Sequence, residues 1–535
     1  MNELVGTGRL VRLILRRDRV LMPLWVVWIA IIPIGYVASI NGLFPTAAGR
    51  QTYADESAHN AGFVALYGRL FGSSLGELVA WRAGFIPVAI GLFTILTVIR
   101  HTRMEEETGR RELLGATVVG RYAGLAAAVL TTCVANLVLG ALVALGLMSQ
   151  DLPAAGSWAL GLEFAAAGWM FAALAAVVAQ LTASARSARS IAIVVLAATY
   201  VLRLAGDISA IGSGAVSWLS WLSPIGWVQR IRPYGGDRWW PLALAVGVTA
   251  VLVWVAVALS ARRDVGSGLL ASRPGPASAG AGLRSPLALA WRLHRGLLLG
   301  WAVGFALLGI VFGGVAKSVG DMAQDNQTFA DIVARVGGTA GVIDSDLAGS
   351  IGILGLIAAA YAIQATLKLR DEETSGHAEP VLSTATGRLR WAAGHLLFTF
   401  LGPAVALLAS GLAMGITYGS TAHDVGGQVP RLVAGAMAQL PAVWVLAAIA
   451  VLLFGTLPRL SPVGWGALAA CLLLFLVGGA VRLDQWVMDI SPYTHLPHLP
   501  GGEVTATPLV VLTAVAAALA VVGLAGLRRR DMPTP

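Results

Sequence analysis

Residues 103–121 read RMEEETGRRELLGATVVGR, and residues 370–388 read RDEETSGHAEPVLSTATGR. Each follows a long apolar run and leads into another, and acids are this dense nowhere else in the chain. Gly109, Glu112, Thr117, Gly120 and Arg121 return as Gly376, Glu379, Thr384, Gly387 and Arg388, each 267 residues later. One duplication accounts for both copies, so the apolar runs around them are expected to repeat as well.

The composition says what kind of solvent those runs face. Of 535 residues, 57% are hydrophobic and 12% charged, with a mean hydropathy of +0.76. A water-soluble globule of this length has no core large enough to hide that surface, so the chain reads as an integral membrane protein. Its net charge of +9 comes from short arginine clusters between apolar runs, with no basic domain or aromatic nucleic-acid motif, which argues against nucleic acid as a partner. Cys133 and Cys471 both lie inside apolar runs and suggest neither a disulfide framework nor a zinc site.

Apolar runs near 20 residues, enough to cross a hydrocarbon layer of about 30 Å as helix, fall at 20–40, 80–99, 122–147, 159–182, 190–206 and 240–260. The second half repeats them at 297–316, 348–367, 391–417, 432–456, 463–481 and 506–526. The expected fold class is therefore all-α, about twelve transmembrane helices in two six-helix repeats. An even number of spans per half makes the repeats parallel. Residues 1–263 form the first half and 287–535 the second. Between them, 264–286 (DVGSGLLASRPGPASAGAGLRSP) has the composition of a flexible linker.

Orientation follows from Lys and Arg in alternate connections. The side holding the amino terminus, both acidic loops and the linker outnumbers the other by more than two to one. Both termini and both loops are thus expected in the cytoplasm, in a multi-pass protein of the cytoplasmic membrane. Residues 4–19, with Arg9, Arg12, Arg16, Arg17 and Arg19, read either as an amphipathic helix on the inner membrane surface or as a basic flank of the first span. On the outer side, Trp218, Trp221, Trp227, Trp239 and Trp240 suit interface anchors.

The two loops also carry a resemblance. A polar loop with an acidic cluster, a Gly, a Leu-rich turn and a closing Arg, set between the second and third spans of a six-span unit, resembles the coupling loop, or coupling helix, of ABC-2 type export permeases. The fused two-half subfamily described as polyketide antibiotic or multidrug exporters is the most similar. Val118 and Ala385 stand where that family often has Pro, so the turn that Pro would impose does not carry over. The resemblance implies a permease subunit, not itself an enzyme, that exports a hydrophobic antibiotic-like or drug-like compound. Two copies of a separate cytoplasmic ABC ATPase would dock on the loops. It places Glu105, Glu106, Glu107, Gly109, Arg110, Glu112 and Arg121 in one coupling loop, and Glu372, Glu373, Gly376, Glu379 and Arg388 in the other. ATP and magnesium would sit on the partner subunit, with no cofactor in this chain and lipid around its spans.

The residues themselves agree with a chain that hydrolyses nothing. The nearest string to a Walker A loop, GGVAKS at 313–318, has Ala316 where the second Gly is required. No catalytic triad or metal constellation is present. Of the polar residues inside spans, Glu163 must face the bundle or water, or snorkel outward past Trp158, because a charge at the bilayer centre costs roughly 2.5–3.5 kcal/mol. Lining a substrate path and snorkelling both remain open for it. Asn136, Gln180 and Gln364 are weaker leads for such a path, since interhelical hydrogen bonds account for them. Arg82, one turn from Glu77, reads as a snorkelling or paired charge. An alternative function is a proton-coupled drug transporter of the major facilitator type, which ETGRREL (107–113) also brings to mind.

Overall fold

In lipid every backbone N–H and C=O must be satisfied within its own segment, which makes helix the only outcome for uninterrupted apolar runs. The computed structural model describes all residues except 1–2, 212–213, 265, 271–276, 279, 281–282, 326–340, 476–483 and 532–535. Among the described residues there is no strand, and 11 helices are long and apolar enough to cross a membrane. The chain is an all-α integral membrane protein. It divides into unit 1, Met1–Pro274, and unit 2, Gly275–Pro535.

Unit 1 begins with α1 (Thr7–Arg17) and α2 (Leu21–Leu43), followed by three short helices, α3 (Ala47–His59), α4 (Ala61–Tyr67) and α5 (Leu75–Arg82). The second span, α6 (Ile86–His101), runs into α7 (Arg103–Glu107) and α8 (Arg110–Gly115). Then come α9 (Ala123–Met148), α10 (Ala154–Leu181), α11 (Ala185–Ser209), the short α12 (Pro224–Gln229) and α13 (Trp240–Ala261). The tight turn between α10 and α11 is closed by Ser184, whose hydroxyl accepts from the Ser187 N–H at 3.1 Å. Unit 2 repeats the order as α14 (Pro286–Asp325), α15 (Val342–Thr374), α16 (Ala378–Leu382), α17 (Arg388–Thr421), α18 (Val425–Met437), α19 (Leu440–Thr456), α20 (Gly464–Leu473) and α21 (Ala506–Arg529).

About twelve spans were expected, and eleven are seen among the described residues. The expected run 463–481 holds α20, ten residues long, and its remainder falls partly outside the described residues. A second difference concerns 41–79, which reads as an outer loop but folds into α3, α4 and α5. Each has its own side-chain cap, from Thr46, from Asn60, and from a reciprocal capping box between Ser74 and Glu77. That box occupies Glu77, so the pairing offered for Arg82 is corrected. Its Nη1 donates to the Tyr53 hydroxyl at 3.3 Å, and its guanidinium lies 4.8 Å from the Tyr67 ring centre.

Packing against lipid supplies no hydrophobic drive, so helices join where small residues let backbones touch. In unit 1 the central helix is α10, 78% of whose apolar window is buried, against 11% for α13 at the periphery. It meets α9 at a glycine pair. A Cβ on Gly140 would lie 2.3 Å from the Gly161 carbonyl oxygen, and one on Gly161 would lie 2.2 Å from that of Gly140. Further along α10, Ile95, Val98, Phe171 and Ala175 belong to one buried core cluster. In unit 2, Gly309 and Gly313 of α14 bring that helix against Ser410 and Met414 of α17 in the same way. Its core is built on Phe305, Ile351, Leu354, Leu407 and Val443.

Candidate functional site

The repeated loop turns at a matching glycine in both units. Gly109 and Gly376 each take a left-handed φ, 70° and 73°, which lets the chain break the helix arriving from the membrane and start a short new one. In unit 1 that new helix is α8 and in unit 2 it is α16.

The acids before the glycine mostly turn inward. Glu106 is buried and gathers three arginines: Arg103 at 2.6 Å, Arg263 with two bonds of 2.8 Å, and Arg111. Burial pulls the Arg111 guanidinium down from its ordinary value against the pull of Glu106, and it remains a cation. Glu105 accepts from Arg17 of α1 at 2.6 Å, and Arg110 stands 3.4 Å away. Glu107 accepts the N–H of Ala185 at the start of α11. In unit 2, Glu373 is buried and held by both ends of Arg530 at 2.5 Å each, while Glu372 lies 3.5 Å from Lys368. Arg121 and Arg388, which close the loops, donate to backbone carbonyls at the ends of α13 and α21 respectively.

What remains facing outward is small and amphipathic. On α8 and just beyond it, Arg110, Glu112, Leu113 and Val118 are exposed, Leu113 to 76% and Val118 to 75%. In unit 2 the exposed set is His377, Glu379 and Pro380. Apolar side chains this exposed on a charged, rigidly attached helix suit a protein contact.

Behind the loops the two units differ. In unit 1 buried Asp18 joins His101 at 2.6 Å and Arg100 at 3.1 Å, tying α1 to α6. At the matching places in unit 2, 276 and 267 residues on, stand His294 and Lys368. There His294 pairs instead with His395 of α17 at 3.0 Å, both rings buried. These pairings escaped the sequence reading. An aspartate eighty-three residues from its histidine gives no periodic signal.

The candidate path residues are dispersed. Glu163 is 3% exposed and lines a cavity of about 40 Å³, roughly one or two waters, with Tyr67, Trp81, Gln229 and Arg232. Asn136 bonds Thr94 at 3.1 Å and the Thr132 carbonyl at 2.9 Å. Gln180 accepts Arg263 Nε at 2.8 Å and so joins the loop network, and Gln364 accepts the Trp301 indole at 3.1 Å. A larger apolar cavity of about 700 Å³ is lined by Leu125, Val129, Cys133, Ala176, Val253 and Val257. A further buried charge is Arg203 of α11. It is fully buried and donates to the carbonyls of Val64, Ala65 and Leu66, closing the end of α4. The one signal for it was an arginine inside an apolar run.

The family model described as multidrug efflux system permease Rv1217c, C-terminal domain, matches residues 11–259 and 283–528. A protein of Mycobacterium tuberculosis named multidrug efflux system permease protein Rv1217c is 46% identical over 529 residues, covering 98% of this chain and 95% of that protein.

Proposed function

Because this chain belongs to the family of the multidrug efflux system permease Rv1217c, we propose that it is the membrane subunit of an ATP-driven exporter. It sits in the cytoplasmic membrane with both termini inside, and α8 and α16 each dock one copy of a separate ATPase. Closure of the ATPase pair on ATP and magnesium then drives the two halves between inward- and outward-facing states. The observation that carries this reading is the loop that recurs with the same left-handed glycine turn, Gly109 at φ 70° and Gly376 at φ 73°, each followed by a short helix with exposed residues. A large apolar cavity supports a hydrophobic, drug-like cargo.

The chain purified alone is expected to show no ATP hydrolysis. Co-expressed with a candidate ABC ATPase subunit from the same organism, it should pull that subunit down and yield hydrolysis stimulated by substrate. Robust hydrolysis by the single chain, or no ATPase retained, would overturn the reading.

Glu163→Gln tests the path. If the carboxyl in its small cavity contacts cargo in transit, the variant should insert normally and change the ratio of transport rates between cationic and neutral dyes in inverted vesicles. Equal rates for every dye would remove Glu163 from the path.

A further inference from the structure

Among its contacts, each loop meets the end of the last helix of its own unit twice. Before the glycine turn, Glu106 is gripped by Arg263, two residues past the end of α13, and Glu373 by Arg530, one past the end of α21. After the short helix, Arg121 donates to the carbonyls of Ser260 and Ala261, and Arg388 to that of Arg530. Glu106, Arg121 and Arg263 return as Glu373, Arg388 and Arg530 at the same offset of 267. The chemistry suits the place. A helix end presents unpaired carbonyls and the negative end of its dipole, which arginine satisfies, and a two-bond guanidinium–carboxylate pair fixes direction as well as distance. Both acids are buried, so neither pair is a solvent-screened surface contact.

We propose that Arg263 and Arg530 are positioning residues that clasp each loop to the last span of its own half, so that a displacement of α8 or α16 is delivered to α13 or α21. This rests on the reading of the loops as ATPase docking sites. The clasp is double in each unit. With one bond before the glycine turn and one after the short helix, the loop has no slack segment in which to absorb a push.

Unit 2 gives the cleaner test, because Glu373 is held by one arginine, whereas Glu106 holds three. Glu373→Arg, Arg530→Glu and the exchanged pair would be prepared in the full chain, with Cys133 and Cys471 replaced by alanine and spin labels at exposed positions 385 and 525. In the parent and in the exchanged pair the label-to-label distance should be narrowly distributed, and in each single variant broad. Reconstituted with the ATPase, the single variants should move on the order of tenfold less substrate per ATP hydrolysed, and the exchanged pair should recover to within about twofold of the parent. A distance that stays narrow in both single variants, or an exchanged pair as broad as the singles, would overturn the clasp. The distance measurement needs no ATPase. A parent chain that binds none would therefore end the docking reading while the distances still decide the clasp.

Discussion

Changing the outward faces of both loops together, Arg110→Glu, Glu112→Arg and Leu113→Asp on α8 with His377→Asp and Glu379→Arg on α16, should release the ATPase. These side chains are exposed, and the ion pairs lost are the peripheral ones of Arg110 with Glu105 at 3.4 Å and of His377 with Glu372 at 3.9 Å; Glu105 keeps Arg17 and Glu372 keeps Lys368, so insertion and folding should survive. A buried apolar anchor at an interface is worth about 1–2 kcal/mol or more, and rim charges about 0.2–1 kcal/mol each. One altered loop should then weaken retention of the ATPase about tenfold. Both together should weaken it on the order of a hundredfold or more, because the second contact no longer gains from the first. The loops should also differ in salt sensitivity. The first presents Arg110 and Glu112, and the second Glu379 beside His377 and Pro380, so the arginine-bearing contact through α8 should weaken more steeply as salt rises. Pull-down of the ATPase by single-loop and double-loop variants across a salt series measures both effects. Full retention with both loops altered would place docking elsewhere.

The second large effect is on the fold. Gly140→Ala and Gly161→Ala each put a methyl group within 2.3 Å of a carbonyl oxygen on the facing helix, and neither backbone has anywhere to go without parting α9 from α10. Overpacking of this kind costs about 1–3 kcal/mol, and because α10 is the central helix of unit 1 the loss should spread through it. Gly247→Ala on α13 is the control, since nothing lies within 4 Å of its added methyl, and helix propensity there favours alanine by roughly 0.8–1 kcal/mol. Thermal unfolding in detergent should show a midpoint several degrees lower for the first two variants and unchanged or higher for the third. Equal midpoints for all three would mean that the glycine contact does not hold the unit together.

The sequence alone determined that this is a membrane protein, where nearly all its spans lie, and that two loops are copies of one another. Those properties are local or periodic: a run long enough to cross a bilayer needs no partner to be recognised, and a constant offset survives any folding. Gly109 and Gly376 were legible as a repeated pair, and the structure gives both the left-handed φ that glycine accepts most readily. Which acids of the loops point outward and which turn inward was decided only by tertiary structure. Glu106 and Glu373 read as members of a docking cluster, yet each is drawn inward by an arginine 157 residues away. Burying a carboxylate is favourable only where a guanidinium is already held in place to meet it, and that place is set by the packing of the last span, which no local pattern records. The same holds for Asp18 with His101 and for Arg203 on the carbonyls of α4. In each the partner is distant in sequence, and the contact exists because helices pack side by side.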